Sequence, residues 1–365
     1  MGDSHSPHPV RPLSSPGLQV PASLSTVDVR VLNTNTRLYL KPGLFWEPEL
    51  EGFDGPNAPI YCFLISHGDR HVVFDLGVRT DWENYAPRIV QLIKASTRVL
   101  SCERDVASVL DDDNSGLNIR STDIEAVVWS HSHFDHAGDP SRFPPSTRLV
   151  VGPGVKAGSW PGYPSNPNGT VLDSDAAGRI VREIDFGSTD LRVGPFKAFD
   201  YFSDGSFYLL DAPGHATGHM CALARTTADP PSFVFMGADA CHHPGVLRPS
   251  QYLPLPQPTP SEHLNNYGGC PGDLLMQLGT WKSPNEPFFT VVRGPLFPDH
   301  GAAMETVAKI LELDAADNVL VLLAHDDSMD GRLPLFPERV NDWQAQGLRE
   351  ETRWLFCKEL EHVKA

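Results

Sequence analysis

The side chains with the clearest capacity for chemistry lie in the segment HSHFDHAGD at residues 131–139. His131 and His133 alternate along the chain, and Asp135 and His136 follow within one tight turn. Residues two apart in extended backbone point to the same side, so the two histidines can bind one metal ion while the turn carries the next two side chains toward a second ion. A solvated polar loop gives no reason for this spacing. The segment therefore indicates a metal site.

Three later segments each carry one ligand-type side chain close to the end of a strand-like run. APGHATGH contains His215, FMGADAC contains Asp239, and LLAHD contains His325. An HxHxDH segment followed in this order by single His, Asp and His residues resembles the metallo-β-lactamase superfamily. FDLG at residues 74–77 resembles the early strand and turn of that family, so the resemblance covers most of the chain.

The resemblance implies an α+β fold, a four-layer αβ/βα sandwich, which the alternation of strand-like and helix-like runs also suggests. It implies two Zn²⁺ ions per chain, each with an open position as in hydrolytic zinc sites. The implied metal ligands are His131, His133 and His215 at the first ion, Asp135, His136 and His325 at the second, and Asp239 as the bridge. Hydroxide formed from water of lowered pKa is the expected nucleophile. Asp135 or Asp239 can then take or orient the proton.

Four other ionisable residues near these motifs are expected to lie outside the ligand set. The family motif uses only the first histidine of PGHATGH, so His219 is expected to support the site or to begin a strand. Asp75 is expected to be either a carboxylate that orients a ligating histidine or a turn residue, since such histidines need a hydrogen-bonding partner. His67 and His71 flank a hairpin turn and are expected to be exposed.

The adjacent histidines His242 and His243 follow Asp239 closely enough to reach the metals. Bacterial homoserine lactonases place a tyrosine three residues after the bridging aspartate, where this chain has His242. One interpretation is that His242 is catalytic and donates a hydrogen bond to the substrate carbonyl or the developing oxyanion. The other is that both histidines are ordinary loop residues. In extended backbone the side chain of His243 points away from that of His242.

Within the superfamily, the chain resembles N-acyl homoserine lactonases and fungal hydrolases that carry SHSHFDHAGDP followed by VVGPG. The expected function is therefore a metal-dependent hydrolase that opens a cyclic ester, in secondary metabolism or detoxification. A lactam hydrolase, or a thioesterase that releases a polyketide from an acyl carrier, could use the same metal set. A partner-docking patch beside the mouth of the site favours the thioesterase. A non-catalytic binding protein is the third hypothesis, and the complete ligand set argues against it.

The charge of the chain limits its partners. Lys plus Arg number 29 and Asp plus Glu 46, a net charge of -17, so nucleic acid is repelled and a small-molecule lactone, lactam or thioester is expected instead.

The N-terminus lacks an apolar signal-peptide region, and no apolar run approaches the roughly 20 residues of a membrane span, so a cytoplasmic protein without membrane contact is expected. The six cysteines are scattered, and most of them are expected to be free thiols.

The Pro-, Ser- and His-rich residues 1–24 are expected to form a flexible arm or a draped extension, and residues 25–365 a single domain. Helical spacing predicts helices at 82–96, 302–313 and 340–363.

The Pro- and Gly-rich insert at 244–286 is expected either to cover the active site or to be disordered. Five aromatic residues could shape a large pocket or simply pack: Phe45, Trp46, Phe53, Tyr252 and Tyr267.

Overall fold

The structure, a computed structural model, describes residues 11–112, 114–256, 283–360 and 363. Its strands in these ranges are β1 Asp28–Tyr39, β2 Trp46–Glu47, β3 Asn57–His67, β4 Arg70–Phe74, β5 Val99–Ser101, β6 Ile124–Val128, β7 Arg148–Val151, β8 Val181–Glu183, β9 Arg192–Val193, β10 Phe196–Asp200, β11 Phe207–Asp211, β12 Met220–Ala228, β13 Pro231–Met236, β14 Thr290–Val291 and β15 Val319–Leu322. The α-helices are α1 Pro42–Phe45, α2 Pro87–Ser96, α3 Val106–Asp111, α4 Phe134–Ala137, α5 Val155–Ser159, α6 Asp173–Ala176, α7 His300–Ala315 and α8 Leu348–Thr352. Short 3₁₀ turns lie at Trp82–Asn84, Ser121–Asp123, Pro140–Arg142, Pro244–Val246, Asp327–Met329 and Leu355–Leu360.

Two mixed sheets form the centre of the fold. The first has seven strands in the order β5-β1-β3-β4-β6-β7-β8, and the second has six in the order β15-β13-β12-β11-β10-β9. Strands β4, β6, β7 and β8 pair in parallel, as do β13 and β15, and the other pairs in the two sheets are antiparallel. Strands β2 and β14 form a separate antiparallel pair.

The sheets pack face to face because their strands alternate two sets of apolar side chains. On β3, Phe63 and Ile65 belong to the core between the sheets, whereas Cys62 and Leu64 belong to the core on the outer face. This period of two, with both faces apolar, is what a strand covered on both sides requires. The inner core also takes side chains from β11, β12 and β13 of the second sheet.

Helices cover the outer faces and complete four layers. Ala303, Val307 and Ile310 of α7, spaced three and four residues apart, lie in the outer core of the second sheet. Val106 and Leu110 of α3 lie in the outer core of the first sheet. The predicted αβ/βα sandwich is therefore confirmed.

The predicted helices differ from the observed ones at their ends. Helix α2 begins at Pro87 and not at residue 82, because proline is accepted in the first turn of a helix but not in its interior. The predicted helix over 340–363 is wrong. Gly347 adopts a left-handed conformation immediately before the five-residue α8, which breaks the helix. Before this break, the Val340 N–H donates to the carbonyl of Val29 at 2.9 Å, so the segment runs along β1 instead.

His67 and His71 are half-buried, and the prediction that they are exposed is wrong. The His67 ring stacks on Phe202 with 4.8 Å between ring centroids, and its Nε2 lies 3.0 Å from a carboxylate oxygen of Asp204. His71 Nδ1 lies 3.0 Å from the hydroxyl of Ser66 on the neighbouring strand. Partners from adjacent elements, which the hairpin pattern does not reveal, cover both rings.

Several predictions concern the ends of the chain and the insert. Residues 11–27 contain no helix or strand. They form hydrogen bonds with the rest of the fold; for example, the Arg225 guanidinium donates to the Pro21 carbonyl at 2.7 Å. Residues 1–10 and most of the insert, 257–282, with Tyr267 and Cys270, lie outside the described residues. The other five cysteines form no disulfide with one another. Within the described ranges, no helix is long and apolar enough to cross a membrane.

Two glycines bring the loop after β7 into backbone contact with the loop that contains His215. A Cβ atom on Gly152 would lie 1.8 Å from the carbonyl oxygen of Gly218, a distance that no packing tolerates. Gly218 itself has a φ of +66°, which favours glycine. The two loops can therefore approach to backbone contact only because neither residue at this point has a side chain.

We expect Gly152→Ala to lower the free energy of unfolding by about 1–3 kcal/mol, since the added methyl group forces the two backbones apart. Urea unfolding followed by circular dichroism measures the change. Gly158→Ala is the matched control: Gly158 lies in α5, and a Cβ there meets no atom within 4 Å. Because alanine favours the helix, this variant should be neutral or slightly more stable. Equal stability of the two variants would contradict the assigned contact.

Candidate metal centre

The HxHxDH segment folds into a compact turn at the end of β6. The Trp129 N–H donates to the Val150 carbonyl on β7 at 2.9 Å, and the Trp129 indole donates to the Ala137 carbonyl at 2.9 Å. Between these bonds lies the single turn α4, which contains Asp135 and His136. The segment therefore leaves the sheet, turns once and returns, which directs its polar side chains toward one point.

The ligand-type residues of the later motifs also follow strand ends. His215 comes four residues after β11, Asp239 three residues after β13, and His325 three residues after β15. Strands β13 and β15 are parallel, so their carboxyl ends meet at one edge of the second sheet. The two packed sheets bring this edge next to the end of β6.

Two clusters result, each with four ligand atoms that all lie within 4.8 Å of one another. The first consists of His131, His133, His215 and Asp239, and the second of Asp135, His136, Asp239 and His325. The structure thus brings together all seven side chains that the sequence predicts as metal ligands, in the predicted two groups. Six of the seven are buried, and His133 is partly exposed.

Asp239 belongs to both clusters, and each of its carboxylate oxygens faces one of them. Oδ2 lies 3.4 Å from His215 Nε2 and 3.7 Å from His131 Nε2. Oδ1 lies 2.9 Å from His136 Nε2 and 3.2 Å from His325 Nε2. Asp239 therefore lies between the two clusters, and its role as a bridge between two ions stays a prediction.

The donor atoms of these clusters fit metal ions. The Nε2 atoms of His131, His136 and His325 are buried and have no hydrogen-bond partner of good geometry, and neither has Asp239 Oδ1. Unpaired buried polar atoms are costly, and imidazole nitrogens with carboxylate oxygens form the usual donor set for zinc. A cation in each cluster would satisfy atoms that are otherwise unpaired.

The two clusters differ in their electrostatics. Burial lowers the pKa of His131 well below its usual value and that of His133 to about 4. These two imidazoles of the first cluster are therefore neutral. Burial also opposes protonation of His325, but the charges of Asp239 and Asp135 outweigh it and raise the pKa of His325 to about 9. Positive charge is therefore favoured where the carboxylates concentrate.

Partners outside the clusters fix the orientation of the histidine rings. His136 Nδ1 donates to Asp75 Oδ2 at 2.8 Å, and the other oxygen of Asp75 accepts the Ser130 N–H at 2.7 Å. His325 Nδ1 donates to the Pro59 carbonyl at 3.0 Å. Each ring thus has one nitrogen engaged and the other directed into the cluster, as in ligating histidines generally. Asp75 has the orienting contact that the sequence suggests.

His219 also supports the site and is not part of either cluster. Its Nδ1 donates to the Ala212 carbonyl at 2.9 Å, and its Nε2 accepts the backbone N–H of Asp239 at 3.2 Å. The ring therefore links the loop of His215 to the backbone of the bridging residue. This is the supporting role predicted for it.

Tyr85 is a supporting residue that the sequence reasoning missed. Its hydroxyl donates to the carbonyl of Phe134 at 2.6 Å, between His133 and Asp135. The helical spacing that draws attention to Tyr85 gives only a packing role. No sequence signal near residue 85 indicates a contact with the metal loop, because the partner lies 49 residues away.

The neighbouring histidines His242 and His243 point in opposite directions. His242 Nε2 donates to Asp239 Oδ2 at 3.0 Å, and its ring centroid lies 5.0 Å from that of His215. His243 Nδ1 accepts the Gly245 N–H at 2.9 Å, away from the clusters. Four aromatic rings surround His243 at centroid distances of 4.9–5.7 Å: Trp46, Phe53, Phe289 and Phe356.

A cavity of about 740 Å³ opens onto the clusters. His133, Asp135, His215 and Asp239 line its polar end. Its walls are mostly apolar and include Leu38, Leu40, Leu44, Phe45, Ile89, Leu92, Val155, Pro295, Leu296 and Pro298. Of the five aromatic residues considered from the sequence, Phe45 lines this cavity, and Trp46 and Phe53 pack in the core. The volume suits a drug-sized small molecule.

Comparison with known proteins agrees with this architecture. Residues 55–224 match the Metallo-beta-lactamase superfamily. The chain is 62% identical over 352 residues to the metallo-hydrolase mfmC of Annulohypoxylon moriforme, covering 96% of this chain and 92% of that protein. It is 45% identical to the gamma-lactamase FDB1 of Fusarium pseudograminearum (strain CS3096), covering 94% of this chain and 84% of that protein.

Two further comparisons concern proteins that this chain matches over part of their length or in fold alone. The chain spans 39% of the length of Penicillium proteins named cytochrome P450 monooxygenases mpaDE, at 51–52% identity. The solved structure of an N-acyl homoserine lactone hydrolase, with N-hexanoyl-L-homoserine at its catalytic metal centre, has a TM-score of 0.55 and 14% identity, covering 86% of this chain and 99% of that one. The latter likeness shows the shared fold. The chain therefore belongs to the metallo-β-lactamase superfamily and is a metal-dependent hydrolase.

Proposed function

We propose that the protein is a di-zinc hydrolase that opens a lactone ring. The observation that carries the proposal is the position of Asp239, with one carboxylate oxygen facing each of two histidine clusters at the end of a mostly apolar cavity. The likeness of the fold to an N-acyl homoserine lactone hydrolase supports a cyclic ester as the substrate.

The second candidate reaction is the opening of a cyclic amide. The gamma-lactamase of Fusarium pseudograminearum is 45% identical over nearly the whole chain, a far closer relation than that to the lactonase structure. Esters and amides pass through similar tetrahedral intermediates, so the same metal ligands serve both reactions. The difference between them lies in the leaving group.

In the proposed mechanism, His131, His133 and His215 would hold one ion, Asp135, His136 and His325 would hold the other, and Asp239 would contribute to both sites. When bound, the two zinc ions supply a water nucleophile of lowered pKa and polarise the acyl carbonyl. Their donors are the unpaired nitrogens and oxygens of the two clusters. Imidazole and carboxylate ligands favour zinc, and their number leaves room for substrate.

Asp135 is proposed to accept and return the proton of the reaction. Asp135 lines the cavity, as Asp239 does, but belongs to the second cluster alone, and its Oδ2 lies 3.4 Å from His325 Nε2. Burial opposes ionisation, but the neighbouring His325 and the charge of His136 hold the pKa of Asp135 below the usual value. Asp135 is therefore an ionised carboxylate in the lining of the cavity, free to accept a proton.

His242 is proposed to donate a hydrogen bond to the acyl oxygen as negative charge develops on it. The ring lies between the clusters, with centroids 5.0 Å from His215 and 5.6 Å from His325. Phe45 packs on it at 4.2 Å and itself lines the cavity. In the structure His242 donates to Asp239, so a role limited to orienting that carboxylate is the competing explanation.

The reaction is tested by a hydrolysis screen with lactones, the corresponding lactams and acyl thioesters that carry the same acyl group. We expect measurable kcat/KM for lactones, loss of activity on removal of metal with a chelator, and recovery on addition of zinc. Faster opening of lactams would assign the second candidate. Turnover of the thioester alone would contradict ring opening and point to a thioesterase.

The number of ions is tested by elemental analysis of metal-replete protein. We expect two zinc ions per chain. His215→Ala should lose about one ion, because His215 belongs only to the first cluster, whereas Asp239→Ala should weaken both sites. His67→Ala is the control, since this half-buried histidine contacts Asp204 away from the clusters, and it should retain both ions. Equal, single-ion losses in the two cluster variants would contradict the bridge.

The role of His242 is tested by His242→Ala in the same two assays. A group that stabilises the transition state should lower kcat by about 10²-fold and leave the metal content at two ions. His243→Gln is the control, because His243 faces the aromatic cluster, and it should keep kcat when the folded fraction is taken into account. A fall in metal content with His242→Ala would assign His242 to the support of Asp239 instead.

A further inference from the structure

Helix α2 presents a mixed polar and apolar face to the cavity. Arg88, Gln91, Leu92 and Ala95 line the cavity at spacings of three and four residues, which places them along one side of the helix. Ile93 lies on the other side, in a core cluster. The wall formed by α2 therefore determines much of what a ligand in the cavity contacts away from the metal clusters.

Arg88 is the one lysine or arginine among the described residues that line the cavity. Its side chain is exposed, and within the described part of the chain no carboxylate forms an ion pair with it. Arg79 and Arg104 form such pairs, whereas Arg98, which also has no ion pair among the described residues, packs over the ring of Tyr39. Arg88 is thus a cation in a mostly apolar cavity, without an anion to balance it.

The position of Arg88 is unfavourable for the helix itself. It occupies the first turn of α2, which contains no acidic residue, and a positive charge there opposes the helix dipole. Helix stability therefore does not explain an arginine at this place. An anionic ligand in the cavity would account for a positive charge at this place.

The start of α2 is held close to the metal centre. Tyr85, three residues before Arg88, donates its hydroxyl to the Phe134 carbonyl in the metal loop at 2.6 Å. The aromatic rings of Tyr85 and Phe134 also contact edge to face, with 6.4 Å between centroids. The Arg88 backbone therefore has a fixed relation to the ligands, and a substrate bound at the clusters can extend to the guanidinium.

We propose that Arg88 is a specificity-determining residue that binds an anionic group, a carboxylate or a phosphate, which the substrate carries away from the bond that is broken. This proposal rests on the proposed hydrolase function and specifies its substrate class: a compound with an apolar body and a negatively charged end. A guanidinium binds either anion through paired, charge-assisted hydrogen bonds. In a chain of net charge -17, an anionic substrate otherwise meets repulsion, so a local cation is needed.

The test compares γ-lactones whose alkyl tails end in a carboxylate, a phosphate or a neutral methyl ester. We expect the zinc-loaded protein to prefer an anionic tail over the ester by tenfold or more in kcat/KM. Arg88→Gln should abolish this preference, because it should lower kcat/KM for the anionic tails by tenfold or more relative to that for the ester. Preference for phosphate over carboxylate, or the reverse, identifies the anion.

Arg98→Gln is the matched control, because it removes the same charge from an exposed arginine that packs over Tyr39 at 4.5 Å and is not part of the cavity lining. It should keep the full preference. Retention of the preference in Arg88→Gln, or its equal loss in Arg98→Gln, would overturn the proposal, as would a wild-type protein without any preference.

Calorimetric binding of the corresponding tetrahydrofurans, which have the same tails but no acyl group to hydrolyse, separates this proposal from the proposed reaction. If no lactone is opened, the reaction fails. Tighter binding of the anionic ether, by tenfold or more and only when Arg88 is present, would still support the recognition site. Equal binding of the charged and neutral ethers would overturn it, whatever the result of the hydrolysis assay.

Discussion

The sharing of one buried carboxylate between two groups of histidines is the interaction on which the site depends. Asp239 has one oxygen within 3.7 Å of two rings of the first cluster and the other within 3.2 Å of two rings of the second. A buried carboxylate is unfavourable unless positive charge and hydrogen bonds surround it. Here the surrounding rings lower the pKa of Asp239 well below its usual value, against the effect of burial. The geometry of both clusters follows from this shared group.

The two sheets hold these groups in place from opposite sides. Asp239 and His325 follow the parallel pair β13 and β15 of the second sheet, whereas the HxHxDH turn follows β6 of the first. The packing between the sheets therefore sets the distance between the bridge and most of its partners. Asp75, at the end of β4, takes a left-handed conformation with φ of +62° and joins the Ser130 backbone to the His136 ring. Such strain in a residue other than glycine persists only where the surroundings impose it.

The sequence predicts the chemistry of this site better than its surroundings. Four ligand-type residues in six positions, and single ligands after apolar runs, are local patterns, so the two groups of residues and the α+β sandwich could be predicted. The contacts of Tyr85 and His243 could not, because their partners are far away in the chain. The helix expected over 340–363 shows a further limit: periodicity suggests a helix, but Gly347 and the contact of Val340 with β1 determine the structure. The arm at 1–24, the domain limits and the cover formed by the insert stay predictions.

The cavity wall and the metal ligands come from different parts of the chain. The ligands follow the ends of strands inside the sandwich, whereas α2 and the segments around Leu44 and Leu296 form the walls outside it. Substitutions in α2 can therefore alter which compounds enter without changing the packing between the sheets. In evolutionary terms, recognition can diverge quickly while the catalytic machinery is retained. A family built in this way can acquire new substrates through a few exposed positions of the cavity wall, such as those on α2.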